Sequence, residues 1–158
     1  MAKEQLARET AASLIETLPM LMRSMACELR KADLLPTQRH ILDLCVRRRW
    51  KLGELAKARI VNASTISRGV NALIQRGLIS KVRDEVDRRA FLIEATPKGR
   101  QLLEQVNRGA IERLTGIYGH MTEEELTALG NGLAGLQRAL AESWAVDGCA
   151  EELDGCPE

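Results

Sequence analysis

The sequence predicts a mainly helical fold carrying one small β-hairpin, an α+β class, and three observations predict it. Apolar residues recur at three- and four-residue steps through most of the 158 residues, the mark of amphipathic helices. Two β-prone runs, LISKVR and RRAFLIEA, stand out against that background, separated only by polar Asp84-Glu85-Val86-Asp87. Charge is also segregated. Residues 39–100 hold 15 Lys/Arg against 6 Asp/Glu, a balance of 15 − 6 = +9, and the remainder holds 8 against 16, a balance of 8 − 16 = −8. A basic centre between acidic flanks attracts polyanions, since Lys and Arg neutralise phosphate.

The N-terminal stretch Lys3 to Leu18 reads as helix, with Leu6, Leu14, Ile15 and Leu18 as a loose apolar stripe. Pro19 lacks an amide donor and is expected either to split this helix into two pieces or to bend one rod. Met22, Met25, Ala26 and Leu29 carry the spacing on to a stop at Lys31-Ala32-Asp33. Pro36 opens a second helix, with Ile41, Leu42, Leu44, Cys45 and Val46 inward. Arg47-Arg48-Arg49 at its end are favoured by the helix dipole or by phosphate. Leu52 to Arg59 is a short helix, and Ile60-Val61-Asn62 is the turn into the next one.

That next helix, Asn62 to Gly77, is the centre of the functional reading. Asn62 suits the N-cap, and Gly77 sits where a helix stops in the left-handed conformation. Ile66, Val70, Leu73 and Ile74 share one face; Ser64, Ser67, Arg68, Asn71 and Gln75 share the other. A short, hydrogen-bonding outer face suits a helix that enters a major groove, where bulky side chains would hold it off the base edges. An ordinary amphipathic surface helix has the same apolar stripe, so this helix alone leaves the choice open. The hairpin that follows crowds Arg83, Arg88 and Arg89 at its tip, where an arginine gains from a narrow minor groove or pairs with Asp84, Glu85 and Asp87. Thr96-Pro97-Lys98-Gly99 then launches a long helix through Leu102, Leu103, Val106, Ala110, Ile111, Leu114 and Ile117. Gly109 and Gly116 imply close packing against a neighbour. Thr122-Glu123-Glu124-Glu125 is a capping box for the last helix, whose Leu126, Leu129, Leu133, Leu136 and Leu140 step as a helix–helix seam does.

With these residues in place, QRHILDLCVRRRWKLGELAKARIVNASTISRGVNALIQRGLISKVRDEVDRRAFLIEATPKGRQLL resembles the MarR family of winged-helix transcriptional regulators. The resemblance is carried by Gln38, Glu54-Leu55-Ala56, Ser64-Thr65-Ile66-Ser67-Arg68, Gly77-Leu78-Ile79, Asp87-Arg88-Arg89 and Thr96 to Gly99, and it covers roughly residues 35–140. It implies a winged helix-turn-helix with long N- and C-terminal dimerisation helices, acting as a homodimer on a pseudo-palindromic operator in double-stranded DNA. It also implies that Ser64, Thr65, Ser67 and Arg68 lie in the major groove, joined by Asn71 from the same helix face. Arg89 would be the minor-groove arginine, Asp87 would hold the wing alongside Arg83 and Arg88, and Lys81 and Gln75 would touch phosphate. Lys81 stands where the family usually has Arg. Leu35 and Lys51 replace common capping threonines, Ala95 replaces a common Leu, and the stretch from Met1 to Leu18 is longer than the family needs.

The expected organisation is a helical extension and dimerisation helix over 1–34, the DNA-binding domain over 35–96, C-terminal dimerisation helices over 97–146 and an acidic, disordered tail over 147–158. The expected function is a repressor released by a small-molecule effector or by oxidation. The alternatives are a winged-helix protein-interaction module that does not read DNA and a thiol-based redox-sensing repressor using Cys27. Met20, Met22, Met25 and Trp50 are candidates to line an effector pocket, with core packing the commoner use of methionine. No apolar run approaches the roughly 20 residues a membrane span needs. The N-terminus also lacks the apolar middle of a signal peptide, so a bacterial or archaeal cytoplasm, at the nucleoid, is the expected location. Four cysteines without a CxxC and two histidines give no zinc framework, and no nucleophile–base pair or phosphate loop points to catalysis. The sequence therefore predicts no enzyme, no cofactor and no metal.

Overall fold

The computed structural model describes residues 2–57, 63–84 and 91–146. Within them the chain is mostly helical: α1 (Ala2–Lys31), α2 (Pro36–Arg47), β1 (Trp50–Lys51), α3 (Leu52–Lys57), α4 (Ala63–Gln75), β2 (Ile79–Arg83), β3 (Phe91–Ala95), α5 (Pro97–Tyr118) and α6 (Glu123–Val146). The strands form one antiparallel sheet in the order β1-β3-β2, with Lys81 opposite Ile93 and Trp50 opposite Ile93 on the other side. The fold class expected from the sequence is the one found, with one addition: β1 makes the hairpin a three-stranded sheet. The expected turn at Ile60-Val61-Asn62, the Asn62 cap and the tail from Asp147 lie outside the described residues.

The core sits where α2, α4, α5 and the sheet meet. Ile41 and Leu42 from α2, Leu73 from α4, Leu78 before β2, Ile79 and Ile93 from the strands and Leu55 from α3 are fully buried. Leu103 and Val106 from the first half of α5 close it. Each such side chain contributes about 1.5–3 kcal/mol on leaving water, so the 3.6-residue stripes read from the sequence are what hold this unit together. Trp50, a candidate pocket residue, belongs here instead. It is buried, and its indole N–H donates to the Leu44 carbonyl at 2.9 Å.

Helix ends follow local chemistry. Thr96 caps α5, its hydroxyl accepting from the Gly99 amide at 3.1 Å, with Pro97 at the first helical position. Thr122 and Glu125 exchange the two bonds of a capping box at α6. At α2 and α3, Leu35 and Lys51 offer no capping oxygen, but the return half of the box survives. Gln38 accepts from the Leu35 amide and Glu54 from the Lys51 amide, each at 3.0 Å. α4 stops at Gly77, whose φ of +67° only glycine adopts without strain. α1 stops at Asp33 in the same region, with φ of +50°.

Pro19 does not divide α1, which is a single helix of 30 residues. The bond Pro19 forfeits would have gone to the Ile15 carbonyl. Both residues are exposed, and water can take that carbonyl. α1 packs on α5 only through its C-terminal part, and every residue from 2 to 20 is exposed. Gly109 meets its expected close neighbour, since a Cβ there would lie 2.5 Å from the Glu28 carboxylate, whereas Gly116 faces open space. α6 has no extended packing partner within the described chain.

Candidate nucleic-acid interface

α4 is anchored by Ile66, Val70 and Leu73, all buried, and rests on α2, α3 and β2. Its other side presents Ser64, Ser67, Arg68, Asn71 and Gln75 to solvent. Of the residues expected in the major groove, Thr65 differs: it is half-buried at the edge of the face rather than on it. Arg68 reaches back one turn toward the Ser64 carbonyl, Nε to O 3.4 Å, a contact too long to hold it firmly. Its guanidinium therefore keeps donors for an outside acceptor.

On β2 the pleat turns Lys81 and Arg83 outward, both exposed, while Val82 between them is half-buried. Neither Lys81 nor Arg83 pairs with an acid among the described residues. At the end of the strand, where the connection to β3 begins, Asp84 lies 3.7 Å from Lys51 of β1. Asp87, Arg88 and Arg89, expected at the wing tip, lie outside the described residues. Because α4 packs directly on β2, the α4 face and the Lys81–Arg83 edge belong to one rigid unit.

The charge count along the chain overstates the cations available to a ligand, because many bind the protein itself. Arg47 pairs with Asp43 one turn away at 3.1 Å, and Arg49 with Glu94 at 2.7 Å. Arg48 stacks 3.3 Å above the Trp50 ring and approaches Glu54 at 3.7 Å. Arg39 donates to Asn107, and Arg100 to the Val46 carbonyl at the end of α2. The contacts of Arg47, Arg48 and Arg49 are to acids and a ring of the protein itself, a use that neither the helix-dipole nor the phosphate reading named. Arg76 also acts inside the protein, a role its position before Gly77 does not advertise.

Cys45 is buried in the core, and burial pushes its thiol up to about 12, which leaves it inert. Cys27 is half-buried on α1. His40 sits in α2 with its Nε2 buried and unbonded, and burial holds the imidazole below its ordinary range. No group of three metal-ligating side chains occurs among the described residues, and none of the described helices is long and apolar enough to cross a membrane. A crevice of about 230 Å³ between α1 and α5 is lined by Glu28, Lys31, Ala32, Leu102, Gln105 and Val106, with none of the methionines. Met20 and Met22 are exposed and Met25 half-buried.

Residues 28–106, half of the chain, match the family described as "Transcriptional regulator SarA/Rot". No curated protein matches the sequence. Among solved structures, a MarR family protein from Bacillus stearothermophilus is 22% identical, with a TM-score of 0.76 over 87% of this chain and 97% of its own. Transcriptional regulator Tm0710 from Thermotoga maritima is 23% identical, with a TM-score of 0.71 over 87% and 98%. A mutant MepR from S. aureus, solved bound to an oligodeoxyribonucleotide, is 21% identical, with a TM-score of 0.62 over 82% and 97%. At these identities the likeness establishes the fold.

Proposed function

The chain belongs to the transcriptional regulator SarA/Rot family, and from that premise we propose that it is a homodimeric, sequence-specific DNA-binding repressor of winged-helix type. The observation that carries the DNA reading is the division of α4: Ile66, Val70 and Leu73 bury one face, and Ser64, Ser67, Arg68 and Asn71 expose the other. Short donors and acceptors on a firmly seated helix can approach base edges, and Arg68 has the reach for a bidentate contact to guanine. Gln75 and Lys81 then touch phosphate, and Arg83 with the wing residues Asp87, Arg88 and Arg89 takes the adjacent minor groove. The MepR complex with an oligodeoxyribonucleotide supports this use of the shared fold. Arg68→Ala is expected to weaken binding to the preferred site about 10- to 100-fold and to relax base preference there, while non-specific binding changes little. Titration of wild type and variant against matched specific and random duplexes checks this, and equal losses on both duplexes would move base reading elsewhere.

The dimer rests on apolar surface without a cover. Leu126, Leu133, Leu136 and Leu140 lie along one side of α6, each between 36% and 45% exposed, and Leu6, Leu14, Ile15 and Leu18 lie open on α1. Steps of three and four suit a seam with a second copy. Leu133→Glu combined with Leu136→Glu is expected to halve the mass measured by sedimentation and to abolish tight operator binding, with the helical content kept. A variant that stays dimeric would place the interface elsewhere.

Release of DNA follows from a small ligand lodged between dimer helices and reading head, or from oxidation. Of the two cysteines among the described residues, the oxidation route uses Cys27, because Cys45 is sealed in the core. A winged-helix module that binds protein instead of DNA is the alternative, and the Arg68 titration separates the two.

A further inference from the structure

We propose that Arg76 is a positioning residue: it ties the C-terminus of α4 to the C-terminus of α1, so that the bearing of the reading helix follows the dimerisation helix. The inference rests on the DNA-reading dimer proposed above. α1 and α4 end in the same way. At α4, the Gly77 amide donates to Ile74 and the Leu78 amide to Leu73; at α1, the Asp33 amide donates to Arg30 and the Leu34 amide to Leu29. This double closure satisfies the carbonyls one turn back and leaves those of the final turn open. Two of these, on Ala32 and Asp33, accept from Nη2 and Nη1 of Arg76, the first at 2.9 Å. The carbonyl of Arg76 itself accepts from Lys98 Nζ at 2.8 Å. One residue thus joins the ends of α1 and α4 and the start of α5.

Three further facts make this a bearing rather than one more surface contact. α1 and α4 share no extended packing; α1 leans on α5 and α4 leans on α2, and among the described residues the guanidinium supplies the hydrogen bonds between their ends. Arg76 is half-buried and has no acidic partner among the described residues, so the negative end of the α1 dipole balances its charge. Two donors on one rigid plane fix an angle as well as a distance, which a lysine ammonium does not. A small change in that angle at the end of α1 moves the far end of α4, and on a two-headed reader this changes the separation of the half-sites.

The test uses Arg76→Met, which keeps length and loses the fork, and Arg76→Lys, which keeps the charge. In the free protein, hydrogen exchange at amides 32–34 and 74–78 is expected to quicken about tenfold in the Met variant and less in the Lys variant, with 97–110 unchanged. Unchanged exchange at both ends overturns the tie. Duplexes selected by the wild-type chain are then re-spaced by −1, +1 and +2 base pairs between half-sites. Wild type is expected to discriminate among them at least tenfold, and the Met variant less than threefold, with equal affinity for an isolated half-site. Faster exchange with spacing discrimination intact would make Arg76 a local stabiliser and overturn the positioning role. If the wild-type chain selects no duplex, the DNA reading fails, and the exchange experiment still decides whether α4 is tied to α1.

Discussion

Raising monovalent salt from 50 to 200 mM is expected to weaken the complex with the preferred duplex by at least about 10³-fold. The figure follows from the cations that the protein does not use itself. Among the described residues of the basic centre, Arg68, Lys81 and Arg83 are exposed and unpaired with any acid. In the proposed dimer two copies bring about six such cations to one duplex, at base edges, in the grooves and at phosphates, and Arg88 and Arg89 add to them; displacing six or more counterions gives a log–log slope of about −5 or steeper. Had all fifteen Lys and Arg of residues 39–100 been available, the slope would be several times steeper. Arg49 beside Glu94, Arg48 on Trp50 and Arg100 on the Val46 carbonyl already have partners within the protein. Fluorescence anisotropy across a salt series reads the slope. A value near zero would mean that the basic centre does not meet a polyanion.

Gly99→Ala is expected to destabilise the protein by about 3 kcal/mol, at the upper end for overpacking. A Cβ at Gly99 would stand 2.0 Å from the Leu78 carbonyl oxygen, 2.9 Å from its carbon and 3.0 Å from Leu42 Cδ1. The Leu42 methyl can turn away, but the carbonyl cannot. It accepts from the Thr96 amide at 3.0 Å, and the Thr96 hydroxyl lies 3.2 Å from it while donating to the Gly77 carbonyl at 2.7 Å, contacts that join the end of β3 to the start of β2. Relief requires lifting α5 from the sheet and opening the core around Leu103. At equal protein concentration the melting point should fall by about 10 °C. Gly53→Ala, where nothing lies within 4 Å, serves as the control and should melt like wild type. Equal melting points for the two variants would show that α5 does not seat against Leu78 as described.

The parts of this fold legible in the sequence are those set by short-range chemistry. Helical stripes, the Thr96-Pro97 start, the Thr122–Glu125 box and the Gly77 stop each depend on residues within a turn of one another, and each is found in place. β1 was not legible, because Trp50-Lys51 is too short to alternate and exists only through pairing with Ile93 and Leu92. The division of labour among the arginines was equally hidden. Arg49 and Glu94 are 45 positions apart, and Arg76 reaches carbonyls 43 and 44 positions away. Before folding, all of them count alike as positive charge. Of the candidate site, the outer face of α4 could be read from helical spacing. The half-burial of Thr65 could not, since it depends on how α4 is tilted against its neighbours.

The most direct test of the central claim is selection of duplexes by the purified chain from a randomised library, followed by counting chains per selected duplex with native mass spectrometry. Two copies reading one duplex through equivalent α4 faces should enrich an inverted repeat with half-site centres about 10 base pairs, or a multiple of one helical turn, apart. The complex should contain two chains. Enrichment of an asymmetric site held by a single chain, or no enrichment at all, would contradict it.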